Sequence, residues 1–429
     1  MRQSSLDCDG LCDILGLIRQ SILSSDALGR YVERRWEGDP GAYGSRKARA
    51  SFTYRAFVPD PIARLNPAFT FETHALIADA ERATVRLNTS GAVVGLEAVG
   101  PLLLRSEAIG SSAIEGHPVS QRNLARALID PRAARDAARI VAANVLAMES
   151  AIALGGVGRP LAVNDMLSIH QTLMEHDPKA RPGQVRTEQN WVGGRVLTSP
   201  YDARYIPPPE ADVPGLLEDL IAFLNRDDLP AVAQAAIAHA QFETIHPFVD
   251  GNGRVGRCLI HVVLRKRGVA SRFVPPVSVV LAARPDAYVA GLEGFRGEGP
   301  EAWCAAFAEA TERAAGLGSE IAAEIATLQE EWYERAGRPR SDSSAARIIP
   351  FLPAQPITSA ATIRAAIGAR HQRALEGLKA LEAAGVLRRL SGRHWGQQYA
   401  AEEIFDLVER YEARAKVPYR SQPTSSPAE

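Results

Sequence analysis

Twelve consecutive residues, His246-Pro247-Phe248-Val249-Asp250-Gly251-Asn252-Gly253-Arg254-Val255-Gly256-Arg257, hold most of the residue types that could do chemistry in this chain. Gly251, Asn252 and Gly253 come just before a stretch with helical apolar spacing. Glycines let successive backbone N–H groups converge, and a helix N-terminus adds partial positive charge, so the segment suits an anion. Arg254 and Arg257 are three apart on the first turn of that helix and share a face, where two guanidiniums can clamp phosphate oxygens. Asp250 would repel a bound phosphate unless Mg2+ sat between them, the usual way a carboxylate holds Mg2+ against a nucleotide. His246 ends the preceding helix; an imidazole with an ordinary pKa of about 6.5 can accept a proton from a hydroxyl nucleophile at neutral pH. A plain glycine-rich turn with two surface arginines would have no use for the acid, the amide or the imidazole.

The elements that must position this stretch are mostly helical. Ala-rich periodicity from Pro230 to about Ile245 leads into His246, and Arg254 to Lys266 carries Val255, Cys258, Leu259, Val262 and Val263 on one side. Arg265, Lys266 and Arg267 near its end and Gly268 after it are a helix stop. Upstream, helices are expected at about Thr73–Leu87, Leu102–Ile114, Gln121–Leu128, Pro131–Leu154, Asp165–Glu175 and Val213–Asn225. Downstream, they are expected at about Arg284–Glu293 and Pro300–Ala315, with a long charged helix reaching Ala336. Residues 182–209 are rich in Gly, Pro and polar types with one short β-like piece at Asn190-Trp191-Val192, and long loops of this kind are often functional. Phe52–Val58 alternates with period two and reads as an extended segment, while Trp36–Ala50 reads as loop.

The 429 residues suggest roughly two to four domains. With 46% hydrophobic and 23% charged residues the composition is that of a globular protein, and the net charge of −1 argues against a general nucleic-acid coat or membrane-surface role. Cys8, Cys12, Cys258 and Cys304 form no CxxC pair, zinc quartet or disulfide framework, so a reducing, cytoplasmic setting is expected. No apolar run approaches the ~20 residues of a bilayer span. Asp7, Asp9 and Asp13 stand where a signal peptide would be basic and then apolar, so no export is expected.

The twelve-residue stretch resembles the signature of Fic-domain proteins, His-Pro-Phe-x-acid-Gly-Asn-Gly-Arg-x-x-Arg, with every fixed position filled. The similarity extends through residues 181–307 in Gly183-Gln184-Val185-Arg186, Trp191-Val192-Gly193-Gly194 and Tyr205-Ile206-Pro207-Pro208-Pro209. It implies transfer of AMP from ATP to a hydroxyl side chain (Tyr, Thr or Ser) of a target protein or of the protein itself. By that resemblance His246 is the general base, Asp250 binds Mg2+, and Gly251, Asn252 and Gly253 hold the α- and β-phosphates. Arg254 and Arg257 neutralise the departing pyrophosphate, and Phe248 is a buried anchor. Gly253 stands where the related, phosphorylating Doc branch has lysine, which favours AMP transfer. Tyr288 falls where the family has a tyrosine near the adenine, with Ala287 in place of the usual preceding tyrosine.

Ser111-Ser112-Ala113-Ile114-Glu115-Gly116 resembles the family's inhibitory helix motif, Ser/Thr-x-x-x-Glu-Gly/Asn. A glutamate delivered to Arg257 would take the γ-phosphate position and misplace ATP for in-line attack. Ser111, Glu115 and Gly116 are therefore expected to form a brake, although in some relatives the same glutamate supports AMP removal. Residues 182–209 resemble the family's β-hairpin flap, where Asn190, Trp191, Val192 and Gly193 would dock an extended target segment by strand addition.

Two other readings compete. His239, Glu243 and His246 share a helix face, and Glu243-x-x-His246 is half of a di-metal carboxylate motif, but no second half is present. A DNA-binding regulator is the other. Beyond a linker at Gly337–Ser344, helices at Ala345–Leu352, Ser359–Ile367 and Arg370–Ala384 precede two strands, Gly385–Arg388 and Trp395–Tyr399, around Ser391-Gly392, a winged-helix plan. Arg370, Arg373 and Lys379 line its recognition helix, and Arg388, Arg389 and Arg393 surround the wing.

The expected architecture is mainly α: a Fic-type helical bundle with a β-hairpin flap and a C-terminal winged helix-turn-helix domain. Its parts are an N-terminal arm (1–35), a helical region with the inhibitory helix at about 102–116 (36–155) and the catalytic core (156–315). A helix and linker (316–344), the winged-helix domain (345–415) and a disordered tail (416–429) follow. ATP and Mg2+ are the expected cofactors; no membrane partner is expected, and a homodimer stays open.

Overall fold

The segment Ala231–Ile245 dictates much of the architecture. Glu243 is its sole charged residue, and every other residue in it is buried. A helix apolar on all sides must be surrounded by other elements, and this one is. The computed structural model describes residues 28–39, 41, 45–89, 93–130, 134–194, 198–390 and 397–417, with the backbone alone for 93–98.

A hairpin opens the described chain: β1 (Gly29–Trp36), a short helix α1 (Arg46–Arg49) and β2 (Phe52–Pro59). The helical body follows with α2 (Phe71–Thr89), α3 (Val93–Ile114), α4 (Gln121–Ile129), α5 (Asp136–Gly155), α6 (Val163–Met174), α7 (Val213–Leu224), α8 (Ala231–Ile245), α9 (Asn252–Lys266), α10 (Val277–Ala282), α11 (Pro285–Glu298) and α12 (Glu301–Arg335). The C-terminal unit comprises α13 (Ser344–Ile348), β3 (Ile357–Ser359), α14 (Ala360–Ile367), α15 (His371–Ala383), β4 (Arg388–Leu390), β5 (Gln398–Ala400) and α16 (Glu402–Lys416). The expectation of a mainly helical protein therefore holds.

α8 is enclosed by α2, α7, α9, α11 and α12. α9 lies between α8 and α5 and also touches α3 and α6. The twelve-residue stretch is the loop joining α8 to α9 together with the first turns of α9, so it is fixed at both ends in the largest hydrophobic core. Among the described residues α5 alone is long and apolar enough to cross a membrane, a feature the search for apolar runs passed over. It packs against α3, α4, α6 and α9.

Several boundaries differ from expectation, each for a packing reason. β1 pairs antiparallel with β2 from Gly29↔Pro59 to Trp36↔Phe52, across the 35/36 limit expected for an N-terminal arm. Its Arg30, Glu33, Arg34 and Arg35 hide the alternation, and the strand exists because β2 offers it a partner. α3 begins at Val93 rather than Leu102 and carries Pro101 inside it. Val99, Leu102 and Leu103 are buried, and that packing outweighs the helix-breaking tendency of proline. α5 begins at Asp136 rather than Pro131, and residues 131–133 lie outside the described set. The helices expected at 300–315 and beyond are one 35-residue helix, α12, about 50 Å long. Gly318 lies within it, buried against Leu87 and Leu103. The periodicity at Leu11, Leu15, Ile18 and Ile22, and the tail from Pro418, lie outside the described residues.

The C-terminal unit has a three-stranded antiparallel sheet in the order β3-β5-β4, one strand more than expected. The turn expected at Ser391-Gly392 and Arg393 lie outside the described residues. Trp332 of α12, Leu378 of α15 and Tyr411 of α16 share a core with Leu87 of α2 and Leu102 of α3. Arg122 of α4 pairs with Glu402 and lies over the Phe405 ring at 4.6 Å. Gly337–Ser344 thus joins two bodies that are packed on each other.

Candidate active site

His246 caps α8 in the left-handed conformation, φ 50° and ψ 60°, with its N–H on the Phe242 carbonyl at 2.9 Å. A non-glycine residue held there costs about 1–3 kcal/mol and persists only where its surroundings impose it. Four side chains impose it. Arg186, 2% exposed, donates from Nε to the His246 carbonyl (2.9 Å) and spreads its other nitrogens over the Glu188 and Pro208 carbonyls. Asn190 Nδ2 donates to the carbonyls of His246 (3.2 Å) and Phe248 (2.9 Å). Asn252 accepts from Phe248 N–H at 2.8 Å and donates back to its carbonyl at 2.9 Å. His170 stacks flat on Phe248, with centroids 3.7 Å apart.

His170 also fixes the acid end of the loop. The Gly183 N–H donates to its Nδ1 at 3.0 Å, so the ring proton sits on Nε2, which donates to the Asp250 carbonyl at 3.1 Å. Burial lowers its pKa to about 4, so the ring stays neutral and keeps this pattern. Gly251 then turns at φ 81°, and α9 begins. The first bond of that helix is Val255 N–H to the Gly251 carbonyl, which leaves the N–H groups of Asn252, Gly253 and Arg254 without helical acceptors. These are the free N–H groups anticipated from the glycines at a helix start.

The arginines behave differently from each other. Arg254 is 3% exposed and stands 3.5 Å from the largely exposed Asp250 carboxylate. Arg257 is fully buried. Its Nε donates to Ser111 Oγ (2.8 Å), one terminal nitrogen to the Ser111 carbonyl (2.9 Å) and Glu115 Oε1 (2.7 Å), and the other to Tyr288 Oη (3.2 Å). Burial opposes its charge, but Tyr288, Glu115 and Glu243 outweigh that and raise its pKa. For Glu115, burial pushes upward and Arg257 outweighs it, holding the carboxyl below its usual range. The Glu115 carboxylate lies over Gly253, where a Cβ would collide with its Oε1. α3 thus delivers an acid into the mouth of the cradle.

His246 is 18% exposed at its side chain. Burial lowers its pKa to about 4, so it is neutral at pH 7. Its Nδ1 lies 3.4 Å from the Glu243 carbonyl, which can only accept, so Nδ1 carries the proton and Nε2 presents a lone pair.

The structure gathers His246, Asp250, Gly251, Asn252, Gly253, Arg254, Arg257, Ser111 and Glu115 into one site, with Gly116 just after Glu115 in a left-handed turn (φ 81°). It revises three expectations. The Asn252 side chain is committed to Phe248, leaving only its backbone N–H for an anion. The Asn190 side chain braces the loop, a role beyond the backbone docking expected of this residue. Tyr288 is 6% exposed, and its hydroxyl joins His239 Nε2 (2.8 Å) to Arg257. Among the described residues no cluster of three metal-binding side chains is found.

The expected β-hairpin flap is, among the described residues, one bridge, Val192↔Tyr205, followed by left-handed Gly193 and Gly194. Trp191 packs edge-on against Trp36 of β1. Arg388 and Arg389 pair with Glu402 and Glu382, whereas Arg370, Arg373 and Lys379 are exposed on or beside α15. Sequence reasoning gave no role to Arg186 or His170. Arg186 stood in a run similar to Fic proteins, but a histidine on an apolar helix face carries no signal of its own.

Comparison with known proteins agrees with this geometry. Residues 160–264 match the Fic/DOC family. The chain is 31% identical over 118 residues to the protein adenylyltransferase Fic of Drosophila erecta, and 28% identical over 131 residues to protein adenylyltransferase fic-1 of Caenorhabditis elegans. These matches cover 27% and 30% of this chain and 22% and 23% of those proteins, so the chain spans about a fifth of the length of the curated relatives it matches. A Fic family protein of Desulfovibrio desulfuricans has a similar fold, with a TM-score of 0.50 at 22% identity over 78% of this chain and 97% of that one. The chain therefore carries a Fic domain of the Fic/DOC family in residues 160–264.

Proposed function

We propose that the protein transfers AMP from ATP to a Ser, Thr or Tyr hydroxyl of a target protein or of itself, and that Glu115 restrains this activity. The observation that carries the reading is the convergence of a neutral imidazole with a free Nε2, an unpaired helix N-terminus and two buried arginines within one loop and one helical turn. The names of the adenylyltransferase relatives supply the nucleotide and the bond.

In this reaction His246 Nε2 takes the hydroxyl proton as the oxygen bonds to the α-phosphorus. The bond from that phosphorus to the bridging oxygen breaks, and pyrophosphate leaves with the electron pair. The N–H groups at the start of α9 and the Arg254 and Arg257 guanidiniums take up the charge that develops. Asp250 fits Mg2+: it is a hard, largely exposed carboxylate beside the cradle, and Mg2+ is typically held by one or two carboxylates plus substrate phosphates. The ion would neutralise phosphate charge there. Arg257 cannot serve Glu115 and a terminal phosphate at once, so ATP that enters beside Glu115 is misplaced for attack.

Gly253 leaves room for the phosphates and favours AMP transfer over phosphorylation. The order helix–strand–helix–helix–strand–strand in the C-terminal unit supports a winged helix with Arg370, Arg373 and Lys379 facing outward, a surface suited to DNA. Mass spectrometry after incubation with ATP and Mg2+ tests the main reading in wild type, Glu115→Gly and His246→Ala. A +AMP adduct that requires His246 is expected; an adduct of phosphate mass, or none from any form with any partner extract, refutes it.

A further inference from the structure

We propose that Glu243 is the charge partner of His246, a positioning residue whose carboxylate stabilises the imidazolium formed when Nε2 accepts the hydroxyl proton. The inference rests on the AMP-transfer reading and assigns a role to a residue that reading leaves unused. Glu243 lies one helical turn before His246, and its side chain is 10% exposed. Oε2 is 4.0 Å from His246 Nδ1, the nitrogen opposite the one that must take the proton. Oε1 is buried without a hydrogen-bond partner, pressed so closely on α9 that a Cβ at Gly256 would lie 2.6 Å from it. A buried carboxyl with an idle oxygen is costly to keep, unless a partner arrives during function.

The balance is simple. Before reaction His246 carries one proton, on Nδ1. The hydroxyl proton moves to Nε2, the oxygen bonds to phosphorus, and pyrophosphate leaves. The ring now holds two protons and a positive charge in a site where burial disfavours it. The Glu243 carboxylate, on the Nδ1 side, offsets that charge. Its own ionisation depends on its neighbours. Burial, opposed by Arg257 on α9 and Arg296 on α11 and reinforced by Glu115 just beyond α3, leaves its pKa raised to about 7. Withdrawal of Glu115 therefore favours the ionised form of Glu243.

The test uses the full chain with Glu115→Gly, follows His246-dependent labelling by α-labelled ATP from pH 3 to 8, a range that spans the imidazole's pKa of about 4, and compares Glu243→Gln with Glu243→Asp. Rate requires neutral His246, so it rises as pH passes the imidazole's pKa, which an adjacent carboxylate raises. Glu243→Gln is expected to lower kcat by about tenfold or more, leave KM for ATP unchanged and move the midpoint of the acid limb to lower pH. Glu243→Asp, which keeps the charge, retains the parent midpoint. An unchanged rate and midpoint in Glu243→Gln overturns the proposal, as does a loss expressed in KM with the midpoint unmoved, or the same midpoint shift in both variants. Failure of the underlying reading looks different: the Glu115→Gly parent itself then gives no label that His246→Ala removes.

Discussion

Replacing Glu115 by glycine removes one carboxylate from the mouth of the phosphate cradle and leaves the rest of the Arg257 shell in place. Ser111 Oγ, the Ser111 carbonyl and Tyr288 Oη still hold the guanidinium. The lost contact is a 2.7 Å charge-assisted hydrogen bond, worth about 1.5–3 kcal/mol when well buried. Glu115 is 36% exposed at its side chain, so solvent screening places the value near the bottom, at roughly 1.5–2 kcal/mol. At 1.36 kcal/mol per tenfold, productive ATP binding and self-labelling should rise about ten- to thirty-fold. The assay is incorporation of α-labelled ATP by wild type and Glu115→Gly, with His246→Ala as background. Labelling that stays flat in Glu115→Gly while His246→Ala abolishes it would sink the brake. Stability should respond with a defined sign. The Glu115 pKa is depressed in the fold, so its contribution is present above the ordinary carboxylate range near 4.5 and is lost as pH falls through the folded value. The melting-temperature gap between wild type and Glu115→Gly should be widest at neutral pH and close in acid; a gap that widens in acid contradicts the ion pair.

Three further outcomes follow from named contacts. His170→Ala removes the Phe248 stack and the donor to the Asp250 carbonyl, so it should lower kcat about tenfold to a hundredfold and lower the melting temperature; a parent-like rate would show that the loop holds itself. Tyr288→Phe strips the shared hydroxyl from His239 and Arg257 and should cost about 1–2 kcal/mol in denaturant unfolding, while a neutral result would place that network elsewhere. If the C-terminal unit binds DNA, the full chain should shift labelled duplex at low salt, and Arg370→Ala with Arg373→Ala should weaken binding and reduce the salt slope by roughly one per residue; no shift at low salt ends that reading.

Much of the site was legible because its chemistry is local. An anion cradle at a helix start, two arginines three apart and an imidazole at a helix end follow from spacing alone. Contacts that join distant segments were not legible. Arg186 and Asn190 reach the His246 carbonyl from sixty and fifty-six residues away, and neither residue type at its position says so. β1 was hidden because strand pairing, not its own arginine-rich sequence, stabilises it. The start of α3 at Val93 was not legible because local propensity around Pro101 is a weak term against the packing of Val99, Leu102 and Leu103.

The sequence by itself determined the exposed helix start, the imidazole at the helix end and the helical class, because each rests on residues within a turn or two of one another. Only the tertiary structure decided that Glu115 meets Arg257 across 142 positions, that Tyr288 spends its hydroxyl on the same guanidinium, and that Glu243 faces the base with an idle oxygen. Those facts depend on how α3, α8, α9 and α11 pack. A charge has its effect on whatever lies within a few ångströms, and packing brings such neighbours together without regard to their distance along the chain.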